Sequence, residues 1–153
     1  MKKLTLIVLL SCSFATPVSW SADFNKGVTA YQAGNYKAAL AEWRPLAHAG
    51  NARAQNFLGF MYDNGEGVLE DDLEAVKWYR LAAEQGNSKA QYGLGVMFAN
   101  GEGVTQSNVY AHMWWNIAAS IGNTAAVKNR DIVAGKMTAA DISKAQGLAR
   151  ECV

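Results

Sequence analysis

Residues 51–86 read NARAQNFLGFMYDNGEGVLEDDLEAVKWYRLAAEQG, and residues 87–122 read NSKAQYGLGVMFANGEGVTQSNVYAHMWWNIAASIG. The two stretches are copies of one unit. Gly50-Asn51, Gly86-Asn87 and Gly122-Asn123 recur every 36 residues. Between them Ala54/Ala90, Leu58/Leu94, Gly59/Gly95, Met61/Met97, Ala75/Ala111, Trp78/Trp114 and Ala82/Ala118 pair off at the same offset. A fixed period of this length is the signature of a solenoid, in which each unit buries its apolar face only by stacking on its neighbours.

Each unit reads as two helices. Ala54, Leu58, Met61 and Tyr62 fall at i, i+4, i+7 and i+8, one face of a first helix. Asn64-Gly65 stops it, and Gly67 keeps the chain turning. A second helix starts near Asp71 and Asp72, whose carboxylates suit a helix N-terminus. Ala75, Trp78, Tyr79, Ala82 and Ala83 form its buried stripe, and Gly86 ends it.

The flanks follow the same scheme. Residues 22–50 read as a shorter unit, with a helix near residues 24–33, a turn at Gly34-Asn35 and a helix over residues 36–48. Pro45 predicts a kink or an early stop in the second of these. Residues 123–153 read as a cap. Residues 124–134 form one helix, and Thr138 with Asp141 opens a last one. Ile142, Ala145, Leu148 and Ala149 of that helix are expected to close the core. The expected fold is therefore an all-α solenoid of helix-turn-helix repeats.

The first residues have the make-up of a secretory signal. Lys2 and Lys3 precede an apolar run over residues 4–10, Pro17 breaks the segment, and Ser19 and Ser21 satisfy a small-x-small cleavage rule. Residues 1–21 are expected to be removed, leaving Ala22 at the N-terminus of a periplasmic or secreted protein without a membrane span. Leu9-Leu10-Ser11-Cys12 also resembles a lipoprotein box, so a lipid anchor at Cys12 is the alternative. Loss of Lys2 and Lys3 takes the formal charge from +1 to −1, which argues against nucleic acid as a partner. Cys152 would then be the one remaining cysteine, open to an intermolecular disulfide but to no internal one.

The quoted pattern, AxAQ…LGxMYxNGxGV…AxxWYRxAAEQGN, resembles the Sel-one-like repeat family, a longer-looped relative of the tetratricopeptide repeats. Residues 22–50 are similar to a tetratricopeptide unit. The resemblance implies an α/α superhelix that recognises another protein, often in the bacterial envelope, with the first helices lining a concave face. The second copy departs at Ser107-Asn108, where an acidic start is usual, and at Trp115-Asn116, where Tyr-Arg is usual.

Motifs for chemistry are wanting. The two NGEGV stretches lack the Lys-Ser/Thr of a phosphate loop. Glu70, Asp71, Asp72 and Glu74 lack calcium-loop spacing. His48 and His112 have no partner ligands for zinc. No catalytic motif of the Ser-x-x-Lys, His-Glu-x-x-His or Gly-x-Ser-x-Gly kind occurs. Trp78, Trp114 and Trp115 read as packing residues. No catalysis, cofactor or metal is expected.

Positions that change type between copies point to the recognition surface. One row is Thr29, Phe60, Val96 and Ile132, a second is Asn25, Asn56, Tyr92 and Lys128, and a third begins Gln32 and Asp63. Asn56, Phe60, Asp63, Tyr92, Val96, Lys128 and Ile132 are accordingly the expected partner-binding residues, apolar at the centre and polar at the rim. The function expected is an exported adaptor or regulator of an envelope protein. An immunity-type inhibitor of a toxic periplasmic effector is the alternative, followed by a cell-wall or antibiotic-directed enzyme.

Overall fold

A computed structural model describes residues 22–151. The signal-like segment with Cys12, and Cys152 at the other end, lie outside the described residues. Those described form eight helices and no strand: α1 (Phe24–Gln32), α2 (Tyr36–His48), α3 (Ala52–Asn64), α4 (Asp72–Glu84), α5 (Ser88–Asn100), α6 (Asn108–Ser120), α7 (Thr124–Ala134) and α8 (Ala139–Glu151). From α1 to α7 each helix packs on the next, and α3 also touches α5. This is the expected solenoid.

Local chemistry sets the boundaries. Asn51, Asn87 and Asn123 cap α3, α5 and α7, each Oδ1 accepting from the amide three residues on. The other half of the side chain links repeats: Asn87 Nδ2 donates to the Ala52 carbonyl and Asn123 Nδ2 to that of Ser88. Gln55 and Gln91 add a second link, their Nε2 donating at 3.0 Å to the carbonyls of Ala47 and Ala83 in the helix before. At the far end of α3 and α5, Gly65 and Gly101 take φ of +66° and +80°, a left-handed cap that side chains with a Cβ resist. Asp71 caps α4, as its acidic start suggested, and Ser107 does the same for α6.

The helix pairs close on an aromatic ring set against a glycine. A Cβ at Gly27 would overlap the Trp43 indole, one at Gly59 would lie 2.6 Å from the Tyr79 ring, and one at Gly95 would overlap Trp115. All three rings are buried. Leu58, Met61, Leu94 and Met97 fill the remaining space with at most 1% exposure. Trp78 and Trp114 are half-buried and pack against the core, as expected.

Two expectations need correction. Pro45 does not stop α2, which runs on to His48. It sits in the last turns, where the hydrogen bond it forgoes would end on Ala41, an exposed residue open to water. The register of the first unit is also off by one. Gly27 meets Trp43 as Gly59 meets Tyr79, so Val28, not Thr29, corresponds to Phe60, and Tyr31, not Gln32, corresponds to Asp63. The last helix closes the core as expected: it packs on α6, where Ala145, Ala149 and Leu148 meet Met113 and Ile117, and only Ile142 of its expected face takes no part in that cluster. The Thr138–Asp141 capping box is present, with the Asp141 amide donating to Thr138 Oγ1 at 3.1 Å.

His112 on α6 is 3% exposed, and its Nδ1 has no hydrogen-bond partner. Burial, and then the Arg130 guanidinium on α7, hold its pKa below the ordinary 6.5. The unfolded chain therefore takes up a proton near pH 6.5 that the folded chain refuses until lower pH, so this residue removes stability as pH falls. Between about pH 7.5 and pH 5.5, around the ordinary histidine pKa, His112→Gln is expected to lose less stability than wild type in urea titrations; parallel losses would place the imidazole outside this linkage. Leu94→Ala should cost about 2–5 kcal/mol as a core truncation, and Gly95→Ala should destabilise by forcing the Trp115 ring aside. Chemical denaturation checks both, and wild-type stability in Gly95→Ala would contradict the glycine–ring contact.

Candidate functional site

The surface of α3 and α5 carries a groove of about 650 Å³. Asn56, Phe60 and Asp63 line it from α3, and Tyr92 and Val96 from α5, so five of the seven residues read from the repeat rows are brought together. The other two, Lys128 and Ile132, are exposed on α7 and lie outside it. From α7 and its cap the groove takes Ala125 and Asn123 instead. At α7 the place of Gly59 and Gly95 is taken by Asp131, and in α8 the place of Tyr79 and Trp115 is taken by Glu151. The glycine–ring contact is not repeated there, and α8 packs on α6.

Sequence reasoning missed other lining residues. Tyr31 enters from α1, where the one-residue slip in register had pointed to Gln32. Thr29 and Asn25 line a separate hollow on the outer side of α1. Phe57 has no apolar counterpart in the second copy, where Gly93 stands. It stacks on Trp43 with ring centroids 4.3 Å apart, while its edge helps to floor the groove. Phe60 is 38% exposed and meets the edge of Tyr31 at 6.4 Å. Val96 is half-buried and packs on the core around Ala111 and Trp115, so it belongs to groove and core at once. Tyr92 is held in place by Asn129, whose Nδ2 donates to its hydroxyl at 3.2 Å.

The polar end of the groove is built from beneath. Tyr79 rises from α4 between Gly59 and Gly93; a Cβ on Gly93 would come within 3.1 Å of its ring. Its hydroxyl donates to Asp63 Oδ2 at 3.2 Å. The equivalent Trp43 and Trp115 instead donate Nε1 to the carbonyls of Phe24 and Tyr92, both at 3.1 Å. A tyrosine at a tryptophan position is thus the signal that could have singled out the middle repeat. Burial raises the Asp63 pKa, the Tyr79 hydrogen bond opposes this, and the charges of Glu102, Asp72 and Glu70 add to the rise. The Tyr79 phenol is pushed upward by burial and by the Asp63 charge, so it stays protonated and remains the donor.

Nothing in the groove is arranged as a nucleophile with its base. Among the described residues no three metal-ligating side chains converge, and His48 packs edge-on against Trp78 instead. The arrangement suits recognition: an aromatic and aliphatic floor with asparagines, one carboxylate and one ammonium at its borders.

The profile of the Sel1 repeat matches residues 52–87 and 88–123, the stretch that holds most of the groove. The chain is similar to the crystal structure of a protective antigen present in uropathogenic Escherichia coli strains that displays an SLR fold. The TM-score is 0.81 with 33% identity, over 84% of this chain and 28% of that one. It is also similar to a Sel1 repeat protein from Oxalobacter formigenes, with a TM-score of 0.68 and 33% identity, over 71% of this chain and 44% of that one. The chain is a Sel1-like repeat protein. It spans less than half the length of either relative. No curated protein matches it. Sel1 repeats are protein–protein interaction modules, and no helix of the described residues is long and apolar enough to cross a membrane.

In this Sel1-like repeat protein the groove takes Asn56, Phe60, Asp63 and Tyr79 from the first Sel1 repeat and Lys89, Tyr92 and Val96 from the second. Tyr31 comes from the unit before them. The repeats therefore supply the scaffold through the positions they share and the groove through those they do not. Tyr79→Phe is expected to keep the ring seated on Gly59 while lowering the Asp63 pKa less effectively than the hydroxyl does. NMR titration of the Asp63 carboxyl should find its pKa higher in the variant; a pKa equal to or below wild type would mean that the hydroxyl does not bond it.

Proposed function

We propose that this protein is an exported adaptor or regulator that binds a protein of the bacterial envelope through the α3–α5 groove. The observation that carries the reading is the row of Phe60 and Val96. It is apolar, open to the groove, and occupied by unlike residues in units whose neighbouring core positions repeat, Leu58 with Leu94 and Met61 with Met97. Repeated residues keep the stack; a variable apolar row serves a surface fitted to one partner. The export half of the proposal rests on Lys2-Lys3, the apolar run over residues 4–10 and the small residues before Ala22.

A photo-crosslinking side chain at position 60 should give a discrete adduct with a partner in envelope extract, and the same group at Lys77 on α4 should give none. Truncating an aromatic anchor removes about 2 kcal/mol of binding, a loss of roughly thirtyfold in affinity. Phe60→Ala should show that loss with an almost unchanged melting midpoint. Early melting would make Phe60 a core residue, and undiminished capture would move the interface elsewhere. Intact mass of the exported protein should begin at Ala22; a diacylated Cys12 or a retained leader would overturn the export reading in that form.

A further inference from the structure

The groove has two features that a generic apolar surface lacks. Asn56 is only 9% exposed, lines the groove, and makes no side-chain hydrogen bond within the described chain. Its carboxamide is reached from the groove rather than sealed in the core. It offers two N–H donors and one carbonyl acceptor, and the group that satisfies donor and acceptor together is a peptide unit of another chain. The second feature is charge. Asp63 sits half-buried in the last turn of α3, with Glu70, Asp72 and Glu102 as its charged neighbours and a phenol as its hydrogen-bond donor. The groove's one cation, Lys89, stands in the first turn of α5, away from that end. The acidic end is therefore without a counter-charge, beside a floor of Phe57, Phe60 and Val96.

Resting on the reading of this groove as the contact surface, we propose that it takes an extended peptide segment of the partner. The segment places a lysine or arginine side chain on Asp63 and an apolar side chain against Phe60 and Val96, and its main chain pairs with the Asn56 carboxamide. The volume of about 650 Å³ suits a few residues rather than a folded surface. A cation at Asp63 meets a carboxylate already aimed by Tyr79, so a charge-assisted hydrogen bond forms at little ordering cost. The Asn56 contact is independent of sequence and the Asp63 contact is selective, so the two variants should fail differently.

The test is selection of phage-displayed random heptapeptides on the full chain, followed by fluorescence anisotropy with one labelled selected peptide. Wild type should enrich lysine or arginine near an aliphatic or aromatic residue. Replacing that cation by alanine should cost wild type about tenfold and Asp63→Asn less than twofold, the signature of a direct pair. Asn56→Ala should weaken every selected peptide by about threefold to tenfold, the worth of a hydrogen bond, and should melt close to wild type because it removes no hydrogen bond within the described residues. Acidic enrichment, a cation preference that survives Asp63→Asn, an Asn56→Ala that melts well below wild type, or no enrichment at all would overturn the proposal. If peptides show no preference while the position-60 crosslink still forms, the peptide inference falls and the interface stands; if the crosslink fails too, the reading beneath it falls as well.

Discussion

Everything in this solenoid hangs on a flat ring lying against a glycine. The second helix of each full pair brings Trp43, Tyr79 or Trp115 onto Gly27, Gly59 or Gly95 of the first, at a distance that leaves no room for a Cβ. Such close approach buries a large aromatic area in a short contact and sets how near the two helices come. The alanines around it, Ala39, Ala75, Ala82, Ala111 and Ala118, are fully buried because they face the same narrow gap. Where the contact ends, so does the regular stack: Asp131 and Glu151 stand at its next positions, and α8 crosses to α6.

The same contact also distributes polar groups. An indole held on the glycine must satisfy its N–H inside the pair, and both tryptophans do so on a carbonyl three residues before the glycine. A tyrosine in the same seat has its polar atom at the far end of the ring. It extends past Gly59 and Gly93 and ends on Asp63 at the groove. One substitution within the repeat thus turns a closed structural hydrogen bond into a feature of the surface. The middle repeat differs from its neighbours in chemistry while keeping their shape.

Polar groups are handled in two ways. The asparagine and glutamine ladder of Asn87, Asn123, Gln55 and Gln91 pairs buried polar atoms across repeat boundaries and holds the units in register. Asn56, by contrast, lines the groove with its carboxamide open to it, and Asp63 is a partly desolvated carboxylate among like charges.

Much of this was legible in the sequence. The 36-residue period, the Asn–Gly stops, the Asp71 cap and the Thr138–Asp141 box follow from short-range chemistry, in which a side chain acts on backbone a few residues away. Five groove residues were legible too, because a repeat with a fixed period puts equivalent positions on one face. What the sequence alone did not decide is what depends on contacts between distant residues. The register of the first unit was set by Gly27 meeting Trp43 across a shorter turn, not by counting. The floor residue Phe57 was set by its stacking on Trp43 in the preceding unit. The place of the last helix was set by its packing on α6. Periodicity determines which residues share a face of a helix, whereas only packing between helices determines which faces meet and which are left for a partner.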